Sequence, residues 1–298
     1  MKHRTDFSFV PTFPLGTMPM AIATVIGHMS ARVPLMQMRS LISEREARNA
    51  YHPYGFNARK IAENLFGTAM TPSRYLREHT LFGFLEHIVG NDAMTEDDEH
   101  FLCEGERCFI AVKRSFRSLL KLNSYLSWCP TCCQEDQARY GFAAWKVMHQ
   151  FPFVQHCLIH QEPLLYKCDD CDRIDNSGRD LRLPQIACRF CGSRSFFRPS
   201  SQRCEAYWRL IGRLALLRDK SKKTVNLLTR LNQSLICLGE QLGNDKLNNE
   251  IKKLLEEEWR NDRLYSEIQH NPLTSQRPTS VVFGTLAWLD AVEILEQQ

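Results

Sequence analysis

The chain has no run of eighteen apolar residues, so the material for a membrane-spanning helix is missing from the sequence. Its opening residues, Met1-Lys2-His3-Arg4-Thr5-Asp6, lead into no secretory apolar core. The next stretch, residues 13–26, is only mildly apolar, is broken by Pro14 and Pro19 and shows no clear cleavage site. The expectation is a cytoplasmic protein with no membrane partner, in a reducing compartment. Internal repeats and long low-complexity tracts are missing too. The sequence also lacks H-E-x-x-H, G-x-x-x-x-G-K-[ST] and G-x-S-x-G, the signatures of zinc proteases, P-loop nucleotide hydrolases and α/β-hydrolases. A catalytic role is therefore not expected. Charge of one sign is not in large excess: the net is only +4, so any attraction for phosphate has to come from local clustering.

Twelve cysteines, by contrast, are many for a chain of 298 residues. In a reducing compartment paired cysteines more often hold metal than each other. Eight metal-ligating residues stand in four short pairs: Cys129 with Cys132, Cys157 with His160, Cys168 with Cys171, and Cys188 with Cys191. A two-residue gap in a tight turn lets both side chains reach one ion, and two such turns complete a tetrahedral zinc site. Sixteen residues separate the last two pairs, which fits a zinc ribbon; twenty-four separate the first two, enough to hold a helix. The sequential assignment gives Cys129, Cys132, Cys157 and His160 one ion and Cys168, Cys171, Cys188 and Cys191 the other. An interleaved arrangement uses the same eight residues and stays open. Closed four-ligand sites leave no room for substrate or activated water, so the expected cofactor is two structural zinc ions. Cys133 adjoins a ligand without belonging to the set. Cys103, Cys108, Cys204 and Cys237 are expected as buried apolar fillers. His149 is expected to pack or hydrogen-bond beside Trp145 in a helical span 134–150 rather than to catalyse. The acidic residues Asp92, Glu96, Asp97, Asp98 and Glu99 are expected in a solvated loop.

Hydrophobic residues make up 43% and charged residues 24%, as in an ordinary globular protein, and the length argues for two or three compact units. The fold class expected is mainly α with small zinc-binding modules. Residues 1–125 form a helical N-terminal domain, 126–200 hold the two zinc modules, and 201–298 form a helical C-terminal region. In the first part, residues 57–66 carry Ile61, Leu65 and Phe66 at helical spacing with Gly67 as a stop. Thr71 and Pro72 then open a helix over 73–89. The pair is a helix-turn-helix candidate, and the reading favoured over it is an ordinary helical hairpin packing its own core. Further helices are expected over 109–126, 204–219, 224–242, 246–263 and 281–296, with a loop over 271–280. Basic residues cluster from Arg203 to Lys223, and Arg203, Arg209, Arg213 and Arg218 are the expected nucleic-acid contacts. The zinc region adds Arg173, Arg179, Arg182, Arg189, Arg194 and Arg198 among Phe190, Phe196 and Phe197, a mixture suited to phosphate contact and base stacking.

The run Cys129-Pro130-Thr131-Cys132, Tyr140-Gly141, Trp145, His149-Gln150, Pro152, Cys157-Leu158-Ile159-His160 and Pro163-Leu164 resembles the TniQ/TnsD family of transposon target-site selectors. The segment Glu78-His79-Thr80-Leu81-Phe82, upstream of Val89-Gly90, also resembles the helical N-terminal part of TnsD-type members. The resemblance covers roughly residues 10–195 and is weak beyond residue 200. It implies a non-catalytic adaptor that recognises a DNA attachment site or a guide-RNA-loaded Cascade complex. Such an adaptor recruits an AAA+ ATPase that brings the transposase. With about a hundred residues after the zinc region, the chain is similar in size to the compact TniQ type. That leaves binding to Cascade, including as a homodimer, open beside direct DNA reading. The alternative is a stand-alone zinc-dependent DNA-binding regulator.

Overall fold

The computed structural model describes residues 11–29, 58–84, 125–174, 182–198, 203–217, 227–260, 262, 264–273 and 278–297. The expected helix over 109–126, the acidic residues 92–99, Cys103, Cys108, Arg179 and Arg218 lie outside them, apart from residues 125 and 126. Among the described residues the chain is mainly helical and has no strand, only isolated β-bridges. No helix among them is long and apolar enough to cross a membrane. The chain divides into two compact units, one holding residues 1–83, 96–110 and 122–201, the other 84–95, 111–121 and 202–298.

The first unit is built around α1 (Pro19–Met29), buried from Pro19 to Gly27. Pro14 and Pro19 look like breaks in the sequence, yet Pro19 stands at the first helical position. There its fixed φ suits the helix and its missing N–H is no loss. Next come α2 (Ala58–Ile61), running into a π-helical turn (Ala62–Phe66), and α3 (Pro72–His79). Gly67 ends the first with φ +58, its N–H bonded to the Glu63 carbonyl. Thr71 caps α3 by accepting the Arg74 N–H at 3.2 Å, and Pro72 follows in the first turn. The helix expected over 73–89 is interrupted at Thr80. There the backbone turns extended and the hydroxyl bonds back to the Leu76 carbonyl at 2.5 Å while accepting the Phe82 N–H at 3.1 Å. A side chain that offers the backbone an alternative partner favours such a break.

Residues 16–18, a turn residue followed by an isolated bridge at Thr17, tie these helices to the cysteine-rich part. Gly16 N–H bonds to the Glu78 carbonyl, Met18 N–H to Trp145, and Val147 N–H to Gly16, at 2.7–2.8 Å. His79 Nδ1 lies 3.0 Å from the Thr17 carbonyl. Trp145, fully buried, meets Trp128 edge-on and donates its ring N–H to the Arg182 carbonyl.

The second unit is a helical bundle of α5 (Glu205–Leu216), α6 (Leu227–Leu242), α7 (Asn244–Trp259), the short α8 (Tyr265–Ile268) and α9 (Pro278–Glu296). α7 buries one stripe of i, i+4 residues, Leu247, Ile251, Leu255 and Trp259. α9 is buried on every side from Val282 to Val292 because all four other helices pack against it. Gly243 alone joins α6 to α7, with φ +84 and its N–H bonded to the Gly239 carbonyl, a left-handed stop that glycine takes without steric cost. The last helix starts at Pro278 rather than at 281, again with proline in the first turn.

Candidate metal centres

Cys129 is the N-cap of α4 (Pro130–Tyr140): its sulfur accepts the Cys132 N–H at 3.2 Å, and Pro130 takes the first helical position. The same cap therefore points Cys129 and Cys132 to one side of the first turn, where the helix dipole favours thiolate. α4 ends at Gly141, φ +80, so the expected helix over 134–150 stops there, and a separate 3₁₀ turn covers Val147–Gln150. His149 sits buried in that turn, as expected for a packing residue.

The other three pairs share one backbone register. The N–H of the first ligand bonds to the carbonyl five residues on: Cys157 to Glu162 at 2.8 Å, Cys168 to Arg173 at 2.9 Å and Cys188 to Ser193 at 2.6 Å. In each the residue after the second ligand is left-handed, namely Gln161 at φ 57, Asp172 at φ 59 and Gly192 at φ 75. Inside the turns, amides aim at sulfur, as the Ile159 and His160 N–H groups do toward Cys157 at 3.4 Å.

These elements bring the eight residues into two groups, Cys129, Cys132, Cys157 and His160, and Cys168, Cys171, Cys188 and Cys191. Within each group the ligand atoms all lie within 4.8 Å of one another. The grouping is sequential, not interleaved. Around a tetrahedral zinc, sulfurs at about 2.3 Å from the metal stand about 3.8 Å apart, and sulfur and histidine nitrogen about 3.6 Å. Cys132–Cys157, Cys168–Cys191 and Cys171–Cys188 are each 3.6 Å apart. His160 Nδ1 is 3.2, 3.4 and 3.6 Å from Cys129, Cys132 and Cys157. A disulfide, at about 2.05 Å, does not fit these separations, and the cysteines are free thiols. Each group is thus shaped to hold one metal ion.

The surroundings pull the thiols in opposite directions: hydrogen bonds with Cys132 and Cys157, together with burial, hold Cys129 above its usual range. Hydrogen bonds from Cys129 and Cys132 draw the Cys157 thiol well below its usual range, with His149 adding to the effect. Burial pushes Cys188 up, but the Phe190 and Cys191 amides and the neighbouring thiols outweigh it and bring it to about 7. Cys133, one residue past a ligand, lies outside both groups, and burial raises its thiol to about 12. Of the expected fillers, Cys237 is exposed on α6 and Cys204 is half-buried ahead of α5, which corrects the reading of both as buried. Cys237 falls on the solvent side because Leu231 and Leu238 define the buried stripe of α6.

In the basic stretch from Arg203 to Lys223, the described residues Arg203, Arg209 and Arg213 are turned into ion pairs of the bundle. Arg203 meets Asp262 at 3.0 Å, both side chains nearly fully buried. Arg209 joins Glu258 and Asp290, and Arg213 joins Asp290 and Glu293, at 2.5–2.8 Å. Asp290, on the buried helix α9, requires such partners, because an unpaired buried carboxylate costs several kcal/mol on the order of a broken core pair. No signal in the sequence pointed to these ion pairs.

Fold and centres together define a class: a mainly helical protein with a paired, cysteine-rich metal-binding module. Residues 21–164 match the model of the TniQ family. This segment is similar to the TniQ domain. The match takes in α1, α3 and the whole first metal group, and ends before Cys168. None of the curated proteins matches the chain.

Proposed function

We propose that the protein is a non-catalytic target-selection adaptor for transposition, linking a DNA or guide-RNA Cascade target to the transposon's AAA+ ATPase and through it to the transposase. The observation that supports this most is the TniQ match, which spans both the N-terminal helices and the first metal group. The residues 16–18 that join them make these parts one surface-bearing unit. On this reading both centres hold zinc as a structural ion. The ligand sets, three sulfurs with one histidine and four sulfurs, and their tetrahedral spacing suit zinc and leave no open position for chemistry. The domain plan of residues 1–125, 126–200 and 201–298 is retained as a division of labour, with target and ATPase contacts spread over its parts. The test is capture of the purified ATPase of the same transposon on immobilised protein, with and without target complex. An adaptor retains both together; failure to retain the ATPase in any combination would sink this reading.

A second reading, a stand-alone zinc-dependent DNA-binding regulator, draws on the second centre. There Arg173 and Arg189 lie over the exposed Phe190 ring at 4.6 and 4.3 Å, and Phe197, also exposed, packs edge-on against Tyr166. Arginine and aromatic faces of this kind suit phosphate contact and base stacking. A mobility-shift assay separates the two readings, since a regulator binds its own site without ATPase or Cascade.

A further inference from the structure

The first metal group has a carboxylate behind its histidine. His160 turns Nδ1 toward three sulfurs, at 3.2–3.6 Å, which leaves Nε2 on the far side of the ring. That atom lies 3.1 Å from Glu135 Oε1. A neutral imidazole that gives one nitrogen to a metal must carry its proton on the other, so Nε2–H is the donor and the carboxylate the acceptor.

Glu135 stands on α4, the helix whose cap and first turn supply Cys129 and Cys132. It lies three residues past Cys132, and therefore on the same helix face as that ligand. The helix thus carries two ligands directly and reaches the fourth through Glu135. The turn bearing His160 is anchored on the same side, because Glu162 accepts the Thr131 N–H at 2.9 Å. Glu135 is mostly exposed, and among the described residues no second hydrogen-bond donor competes with His160 for its Oε1.

We infer that Glu135 is a positioning residue for the first metal ion, holding His160 in the tautomer and ring orientation that present Nδ1 to the metal. The inference rests on the reading of this group as a zinc site. Outer carboxylates of this kind change metal affinity by about 10–100-fold when removed. Contributions of an exposed ion pair to folding are small, so the effect belongs to metal retention and not to stability of the helix.

The experiment uses the full-length, zinc-loaded chain and its Glu135→Ala and Glu135→Gln variants, with exposed Gln134→Ala as a control on the same helix. Zinc transfer to a chelator is titrated, and the ring nitrogens of His160 are followed by ¹⁵N NMR. The expected result is loss of one zinc, from the first centre, at roughly 10–100-fold lower chelator concentration for Glu135→Ala. Glu135→Gln, whose amide oxygen still accepts the hydrogen bond from Nε2–H, falls between, and Gln134→Ala matches wild type. The Nε2–H proton of His160 should exchange slowly in wild type and quickly in Glu135→Ala, a change that loss of helix packing alone does not produce. Equal zinc retention and equal Nε2–H exchange in wild type and Glu135→Ala would overturn the assignment while leaving the zinc site intact. Wild-type protein with no zinc at the first centre would overturn both.

Discussion

Cys132 and Cys133 are neighbours, both buried, and only the first faces the other three ligands of its group. Replacing Cys132, Cys171 or Cys191 by Ser should therefore cost one of two zinc ions per chain, measured by elemental analysis after dialysis. Cys133→Ser should keep both. Metal-coupled folding energy at such sites is on the order of several kcal/mol, so the ligand variants also lose protection from proteolysis around the affected centre. Zinc loss from Cys133→Ser with retention in Cys132→Ser would reverse the ligand assignment. The two groups of four were legible in the sequence because a pair of candidate ligands separated by two residues is a local geometric requirement. The ion pairs of the arginines were not, because Asp290, the partner of Arg209, lies far along the chain on another helix. Arg203 illustrates the consequence for stability. Its partner Asp262 is nearly fully buried, so Arg203→Ala strands a carboxylate and should lower stability by about 3–5 kcal/mol in chemical denaturation. A change within error of zero would mean that water reaches Asp262.

Short elements showed both the power and the limit of pattern reading. α3 was legible at its start, where Thr71 and Pro72 cap it, and not at its end, where Thr80 breaks it through its own side chain. α1 was missed because proline was weighed as a breaker when its place at the first helical position makes it a starter. Nothing in residue spacing announced the left-handed residue that closes three of the four ligand turns. Two of these positions hold residues with a side chain, Gln161 and Asp172, where Gly192 meets the same demand without strain. Gln161→Gly should accordingly be tolerated or slightly stabilising, by roughly 0.5 kcal/mol, since relief of left-handed strain outweighs the added freedom of the unfolded chain. A thermal melt of the zinc-loaded variant checks this. A fall of several degrees would show that the Gln161 side chain contributes more than its backbone costs.

The bundle and the metal-bearing unit differ in what holds them together. The bundle relies on apolar stripes around α9 and on a carboxylate–guanidinium cluster that joins α5 to α7 and α9. Double charge reversal, Arg209→Glu with Arg213→Glu, places two acids against Glu258, Asp290 and Glu293. It should unfold or loosen the bundle at concentrations of urea that leave wild type intact, while both zinc ions remain bound. Unchanged urea resistance, combined with weaker and less salt-dependent nucleic-acid binding, would instead assign these arginines to phosphate. The metal-bearing unit depends on a different kind of link. Its residues 16–18 are paired with residues 145–147, across most of the unit's sequence. During synthesis, α1 and α3 leave the ribosome long before the backbone that completes their pairing, and that backbone is set beside the first metal group. A part made earlier therefore waits on the metal supply met by one made later. Nascent chains ending before residue 145 should leave residues 11–29 and 58–83 open to protease, whereas chains released beyond residue 165 in the presence of zinc should close them.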